Sequence, residues 1–297
     1  MASCFSDYAV SIADTSCSSY ANNACISPNM TPSVQNAVTS VYKITLSDSN
    51  QLQVEVCWNK CQMNQGLSIT FMNSGTPSFK LNTSSGLWRK LKGSRMVESD
   101  IFKIQVFWDL SMCKYQSGAA EPANGYYVIV MVDSEVGLVL GDLGEEAAKR
   151  KVKKDRTIAK STLTVRREYW SGNTLYATKA KFSDLGALHE IAIRCSGEES
   201  LKHPFLSICI DKKVVIRVKR LDWNFRGNQT LFLEGLLVDL LWDVHDWFFN
   251  PYTGSGVFMF RRRSGMDRRL WLEEGDVLGK EHDRGEFSLL MYACKNI

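Results

Sequence analysis

From Val38 onward, apolar and polar positions alternate with a period of two. Leu52, Val54, Val56 and Trp58 alternate with Gln53, Glu55 and Cys57. Ile104, Val106 and Trp108 alternate with Lys103 and Gln105, and Val214, Ile216 and Val218 are interspersed with Arg217 and Lys219. Successive side chains of a strand point to opposite faces, so this pattern predicts half-buried antiparallel strands. Two hairpins are expected. One turns at Asp133-Ser134-Glu135 between 126–132 and 136–140; the other turns at Ser171-Gly172-Asn173 between 163–170 and 174–182. A single helix interrupts the strands. Asp142, followed three residues on by Glu145, resembles a capping box. Glu145 with Lys149 and Glu146 with Arg150 are favourable i,i+4 pairs.

The two halves of the chain resemble each other. Phe107-Trp108-Asp109-Leu110-Ser111 aligns with Leu241-Trp242-Asp243-Val244-His245. Leu46-Ser47-Asp48 aligns with Phe182-Ser183-Asp184, Val54-Glu55-Val56 with Ile191-Ala192-Ile193, and Leu67-Ser68-Ile69 with Leu206-Ser207-Ile208. Gly125-Tyr126-Tyr127-Val128 aligns with Gly256-Val257-Phe258-Met259. Order and phase are kept throughout, which predicts a duplicated domain rather than a solenoid of short repeats. The expected fold is mainly β: two tandem antiparallel β-sandwich-like repeats at 37–141 and 159–263, joined by a linker helix at 142–158. Phe107 and Leu241 are apolar on the outer face of matched strands, so the repeats are expected to cover each other there with pseudo-twofold symmetry. Residues 1–36, rich in Ser, Asn and Ala, read as a disordered N-terminal tail, and 264–297 as a variable C-terminal tail.

Composition adds little direction. The formal net charge of +4 over 297 residues is too mild to indicate a nucleic-acid binder. The beginning of the sequence lacks the pattern of a secretory signal, Ala2 rules out N-myristoylation, and no apolar run is long enough to span a bilayer. The nine scattered cysteines therefore read as reduced thiols, and the expected location is the cytoplasm, shared with the nucleus if a basic cluster is read by import receptors.

One long stretch carries a family resemblance. Residues 218–228 (Val-Lys-Arg-Leu-Asp-Trp-Asn-Phe-Arg-Gly-Asn) lead into 238–247 (Val-Asp-Leu-Leu-Trp-Asp-Val-His-Asp-Trp). Together with 107–111 and Val139-Leu140-Gly141-Asp142-Leu143, these resemble the plant family catalogued as domain of unknown function 868 (DUF868). The likeness runs from Cys4-Phe5 to about Arg261. It implies a plant source and no assigned activity.

The chemically able residues cluster at the strand ends. Asp109 and Asp243 each follow a tryptophan. They read as strand-end carboxylates accepting backbone N–H groups, or as a pair for acid–base work or cation binding. Asp243, His245, Asp246 and Trp247 form the densest group, yet no second His or Cys has ligand spacing, so no metal and no cofactor is expected. Trp223, Arg226 and Asn228 lie in a tight connection where Arg226 either packs on Trp223 or binds a ligand. Lys149, Arg150, Lys151, Lys153 and Lys154 form one basic cluster, and Arg261, Arg262 and Arg263 a second. No G-x-S-x-G, P-loop, H-E-x-x-H or paired C-x-x-C occurs. The function expected by this exclusion is a non-enzymatic, intracellular binding module that presents a protein-binding surface. Anionic-lipid binding, glycan binding, or a carbohydrate-active hydrolase using Asp109, Asp243 and His245 are the alternatives.

Overall fold

The computed structural model describes residues 10–12, 33–60, 65–72, 78–82, 90–98, 101–151, 157–172, 175–183, 185–196, 204–250, 254–263 and 287–294. The chain is mainly β. It divides into two units: Gln35–Glu168, the first-half unit, and Met1–Val34 with Tyr169–Ile297, the second-half unit.

In chain order the strands begin with β1 (Val10–Ile12), β2 (Val34–Thr45), β3 (Gln51–Lys60), β4 (Gln65–Met72), β5 (Ser78–Asn82), β6 (Lys92–Glu98) and β7 (Lys103–Asp109). Then come β8 (Lys114–Tyr115), β9 (Pro122–Asn124), β10 (Tyr127–Val132), β11 (Glu135–Leu140), helix α1 (Gly144–Lys151) and β12 (Lys160–Ser171). β13 (Leu175–Ala180), β14 (His189–Ser196), β15 (Phe205–Ile210), β16 (Lys213–Lys219), β17 (Arg226–Leu233) and β18 (Leu236–Asp243) follow. Helix α2 (His245–Phe249), β19 (Ser255–Arg262) and β20 (Ser288–Cys294) complete the order.

The first-half unit contains two antiparallel meanders. β2, β3, β4 and β5 pair in sequence, and β6, β7, β10 and β11 pair in sequence. The alternation in the sequence explains the burial. Leu52, Val54, Val56 and Trp58 of β3 share one core with Ile104, Val106 and Trp108 of β7 and Val128 and Val130 of β10. Each fully buried aliphatic side chain of this kind contributes roughly 1.5–3 kcal/mol. The Asp133–Ser134 turn is the expected hairpin, with both residues at positive φ (47° and 75°), as a two-residue turn matched to strand twist requires.

Helix α1 begins at Gly144, the 152–156 part of its expected span lies outside the described residues, and it is not a bare connector. It packs on β10 and β11, burying Ala147 against Tyr127, Ile129, Met131 and Val136. Phe107 joins this outer cluster and lies under Lys151, whose Nζ is 5.1 Å from the ring centroid. The apolar outer face that suggested cover by the other repeat is thus covered at Phe107 by the unit's own helix. Asp142 does not act as the expected helix cap. Its carboxylate instead accepts the backbone N–H groups of Gly125 (2.7 Å) and Tyr126 (3.2 Å). The Glu146–Arg150 pair forms, at 3.4 Å.

The second-half unit repeats the theme. β13, β14, β15 and β16 pair in sequence, with β1 added beside β16. β17, β18, β19 and β20 likewise pair in sequence. A bulge between Ile208 and Cys209 shifts the phase of β16, so Val215 is buried while Val214 is only half-buried. Phe182 links the two sheets, with ring centroids 5.8 Å from Phe287 and 6.3 Å from Phe260.

Three expectations change. β12 and β13 do not form a hairpin: β13 pairs with β14, and the Gly172 N–H donates to Cys294 O at 3.2 Å. Gly172, at φ 129° and against Ser33, changes the chain's sheet there. β1 falls within the expected N-terminal tail, and β20 within the expected C-terminal tail, where Leu289, Met291 and Ala293 alternate as buried residues. The start of β2, from Val34, also lies within the expected N-terminal tail, and apart from Ser33 and Phe287 the rest of both tails lies outside the described residues. Cys57, Cys113, Cys195 and Cys294 are free thiols, whereas Cys209 is disulfide-bonded, contrary to the expectation of nine reduced cysteines. Among the described residues, no helix is long and apolar enough to cross a membrane.

Candidate binding surface

The two tryptophan–aspartate pairs end their strands in the same way. In the first-half unit Trp108 lies opposite Gly93, and its indole N–H donates to Lys90 O at 2.9 Å. Leu110 N–H donates to Leu91 O (2.7 Å), and Asp109 accepts Ser111 N–H (3.1 Å) and pairs with Lys92 Nζ (2.8 Å). In the second-half unit Trp242 lies opposite Gly227 and donates to Asn224 O at 3.1 Å. Val244 N–H donates to Phe225 O (2.8 Å), and Asp243 accepts His245 N–H (3.0 Å) and Arg226 Nε–H (2.8 Å). Glycine is needed opposite each indole because a Cβ there would meet the ring, at 3.1 Å for Gly93 and 2.2 Å for Gly227.

Chemically, these carboxylates are settled. Burial works against the charge of both Asp109 and Asp243. The donors outweigh it, from Lys92 and Ser111 in one case and His245 and Arg226 in the other, and hold both carboxyls below the usual range. A carboxylate so held is a poor proton donor at neutral pH.

Beyond the shared motif, the second-half unit builds an aromatic surface. The segment Arg220–Phe225 enters β17 through a turn with Arg220 at φ 52°. Trp223 N–H (2.9 Å) and Asn224 N–H (3.0 Å) both donate to Arg220 O, and the Asn224 amide donates to Lys219 O (3.0 Å). This pinned turn holds Trp223 outward, 81% exposed. Arg226 does not stack on Trp223 as expected. Its guanidinium lies 5.6 Å from the Phe225 centroid while paired with Asp243.

Helix α2 brings His245 and Phe249 onto one face, four residues apart. Phe225 meets His245 edge-on (5.2 Å) and Phe249 edge-on (5.8 Å), and the His245 and Phe249 rings are 4.9 Å apart. Phe249 is 55% exposed. His245 Nδ1 is 2.9 Å from Asp246 Oδ1. Trp247 points the other way, buried against Tyr176. Asn228 is exposed on β17. Of the sequence candidates, then, Trp223, Arg226, Asp243, His245 and Asp246 belong to one local region, with Asn228 further along β17. Trp247 is core, and Asp109 belongs to the first-half unit.

The basic clusters divide. Lys149, Arg150 and Lys151 are exposed on α1, while Lys153 and Lys154 lie outside the described residues. Arg261, Arg262 and Arg263 are largely spent internally. Arg263 Nε–H donates to Asp239 (2.8 Å), Arg261 lies 3.8 Å from the same carboxylate, and buried Arg262 donates to Phe182 O (3.2 Å).

Two polar groupings escaped the sequence reading. Buried Glu168 accepts Arg166 Nε–H at 2.6 Å, and Arg166 also donates to Glu121 at 2.8 Å. Nearby Tyr42 is pushed up to about 12 by burial, reinforced by Glu121. The phase of Arg166 and Glu168 with Trp170 was the available signal: charge recurring at i and i+2 on the inward face of a strand. His189 is the second. Its Nδ1 is 2.7 Å from Asp211 and its Nε2 3.5 Å from Glu234, on opposite sides of the ring, an arrangement unsuited to sharing one metal ion. These acids come from distant turns, so no local spacing announces them.

Tyr42 carries a pH prediction. Its folded-state pKa is raised, so the stability it contributes is present below pH 10 and lost as pH climbs from 10 toward about 12. In denaturant titrations, Tyr42→Phe should show a shallower loss over that window than the wild type. An unchanged slope would assign the loss to other tyrosines.

A family model described as plant protein of unknown function (DUF868) matches residues 33–295. The match extends past Arg261, where the sequence resemblance stopped, through β20. No curated protein and no solved structure matches the chain.

Proposed function

Because the chain belongs to this plant family of unknown function, its role has to be read from its own surfaces, and we propose that it is a binding module without catalytic chemistry whose second-half unit presents a protein-binding surface. One observation carries this reading: Trp223 is 81% exposed on a turn fixed by backbone hydrogen bonds, two residues before the Phe225–His245–Phe249 cluster. A large exposed aromatic is normally a cost. A rigid one beside further exposed aromatic surface loses little entropy on binding, which is the character of an interface hot spot. Arg262 is buried on the Phe182 carbonyl, and Arg261 and Arg263 share Asp239, so this cluster is less available to an anionic membrane, which favours a protein partner. Asp109 and Asp243, held ionised by their paired cations and strand-end N–H groups, are poorly suited to supply the general acid of a hydrolase, which favours binding over hydrolysis.

The matched strand-end motifs support a further part of the proposal, an internal duplication. The ladders pair Trp108 with Val128 and Trp242 with Phe258. On this reading Val128 corresponds to Phe258, one residue from the sequence alignment, which set it against Met259. Superposing β6, β7 and β10 on β17, β18 and β19 is the check. Failure of the Trp108 and Trp242 rings to coincide would end the duplication idea.

Trp223→Ala is expected to weaken partner binding by at least 30-fold, about 2 kcal/mol, with an unchanged Tm. Affinity capture from plant tissue with wild type and variant side by side, then titration of any partner that differs, measures this. Equal binding by both proteins would remove Trp223 from the interface.

A further inference from the structure

We propose that the outer edge of β17, unpaired among the described residues, accepts an extended peptide segment of a partner protein as an added β-strand, a refinement that rests on the binding surface just described. The backbone geometry sets this up. Phe225 O receives the Val244 N–H while Arg226 faces Asp243, so Arg226 and Asp243 are a pair without mutual backbone bonds. Alternation along an antiparallel ladder then turns the N–H and C=O groups of Arg226, Asn228, Thr230 and Phe232 away from β18. β17 ends its sheet, and among the described residues no strand pairs with that edge.

The edge also lacks the usual protection. Its eight residues include no proline, and its one charged side chain, Arg226, is held back on Asp243. One outward carbonyl, that of Thr230, takes only a long 3.4 Å donation from the Gln229 amide. An exposed strand of this length otherwise invites unwanted pairing, so its retention calls for a use.

The occupant follows from the chemistry. Donors and acceptors recurring every second residue along a straight edge are matched by an extended backbone, and not by a glycan or a lipid headgroup. The edge begins at the aromatic surface of Trp223 and Phe225, and Phe232 lies 60% exposed near its other end. The fitting peptide is therefore extended, with apolar or aromatic residues at the end that passes Trp223. Backbone pairing supplies its affinity, and the aromatic end its register.

Selection of a phage-displayed random dodecapeptide library on the full-length protein, followed by anisotropy titration of the best peptide, tests this. Asn228→Pro deletes one outward N–H and leaves the bonds to β18 in place; it should weaken the peptide at least 10-fold, while Asn228→Ala retains it. N-methylating alternate amides of the peptide should cost as much in one phase and little in the other, without altering the protein. Failure to enrich any peptide, or indifference to both the proline and the methylation phase, overturns the edge pairing. If indifference is accompanied by loss in Trp223→Ala, the aromatic surface survives and only the added strand is wrong. A dimer that Asn228→Pro dissolves would assign the edge to a second copy and also overturn the proposal.

Discussion

Arg166→Leu is expected to cost about 3–5 kcal/mol of stability, the largest effect of any single substitution considered. Arg166 is the cation between two carboxylates, Glu168 at 2.6 Å and Glu121 at 2.8 Å, and Glu168 is 0% exposed. Burial opposes the guanidinium charge, but Glu121 and Glu168 more than compensate and raise its pKa further. Taking the guanidinium away leaves two carboxylates close together, one fully buried. Lysine at 166 keeps the charge but loses the planar fork that donates to both acids, so Arg166→Lys should cost less than Leu without matching the wild type. Arg166→Leu with Glu168→Gln should recover part of the loss, because the buried charge goes with its partner. Urea unfolding at neutral pH measures all three. A loss under about 1 kcal/mol for Arg166→Leu would mean that water or relaxation replaces the guanidinium.

Gly227→Ala comes second, at about 3 kcal/mol, near the upper end for overpacking. The added Cβ would sit 2.2 Å from Trp242 Cζ2, a ring fixed by its N–H bond to Asn224 O and buried among core residues. Gly93→Ala is the internal control. The same contact in the first-half unit is 3.1 Å, so the indole of Trp108 has to yield only a few tenths of an ångström, and about 1 kcal/mol is expected. Calorimetric Tm values for the two variants should therefore separate clearly, with Gly227→Ala lower. Equal shifts would show that the closer approach at Trp242 is relieved by ring movement. Because Gly227 also lies on β17, the same substitution should disturb the outer edge of that strand.

Where side-chain period carried the information, the sequence was readable. β3, β7 and the Asp133 hairpin stand where alternation and turn residues put them, since one buried face fixes a strand's phase. Sheet membership was not readable. Ser171-Gly172-Asn173 has hairpin composition, yet the chain leaves one sheet for another there, a choice made by the distant Cys294 carbonyl and Ser33. Composition hid β20, because the mixed stretch before it obscured the alternation of Leu289, Met291 and Ala293.

At the candidate site, Asp109 and Asp243 accept strand-end N–H groups as the turn chemistry suggested. Trp223 gave no sign of its exposure, because tryptophan is highly buried on average and nothing in the local sequence marks this one as presented. Phe225 and Phe249 were invisible as a pair, since 24 positions separate them in sequence and only α2 returns the chain to the start of β17. Arg166 and Glu168 are two residues apart on β12, but the second acid on Arg166, Glu121, and both acids beside His189 come from remote turns, and spacing cannot reveal those.

The account rests on the surface around Trp223 being where a partner protein sits. Hydrogen–deuterium exchange of the chain, free and saturated with a partner recovered by affinity capture, tests that most directly. The predicted result is slowed exchange concentrated in 219–233 and 245–250, the pinned turn, β17 and α2, with the first-half unit unchanged. Protection confined to Gln35–Glu168, or none at 219–233, would contradict it.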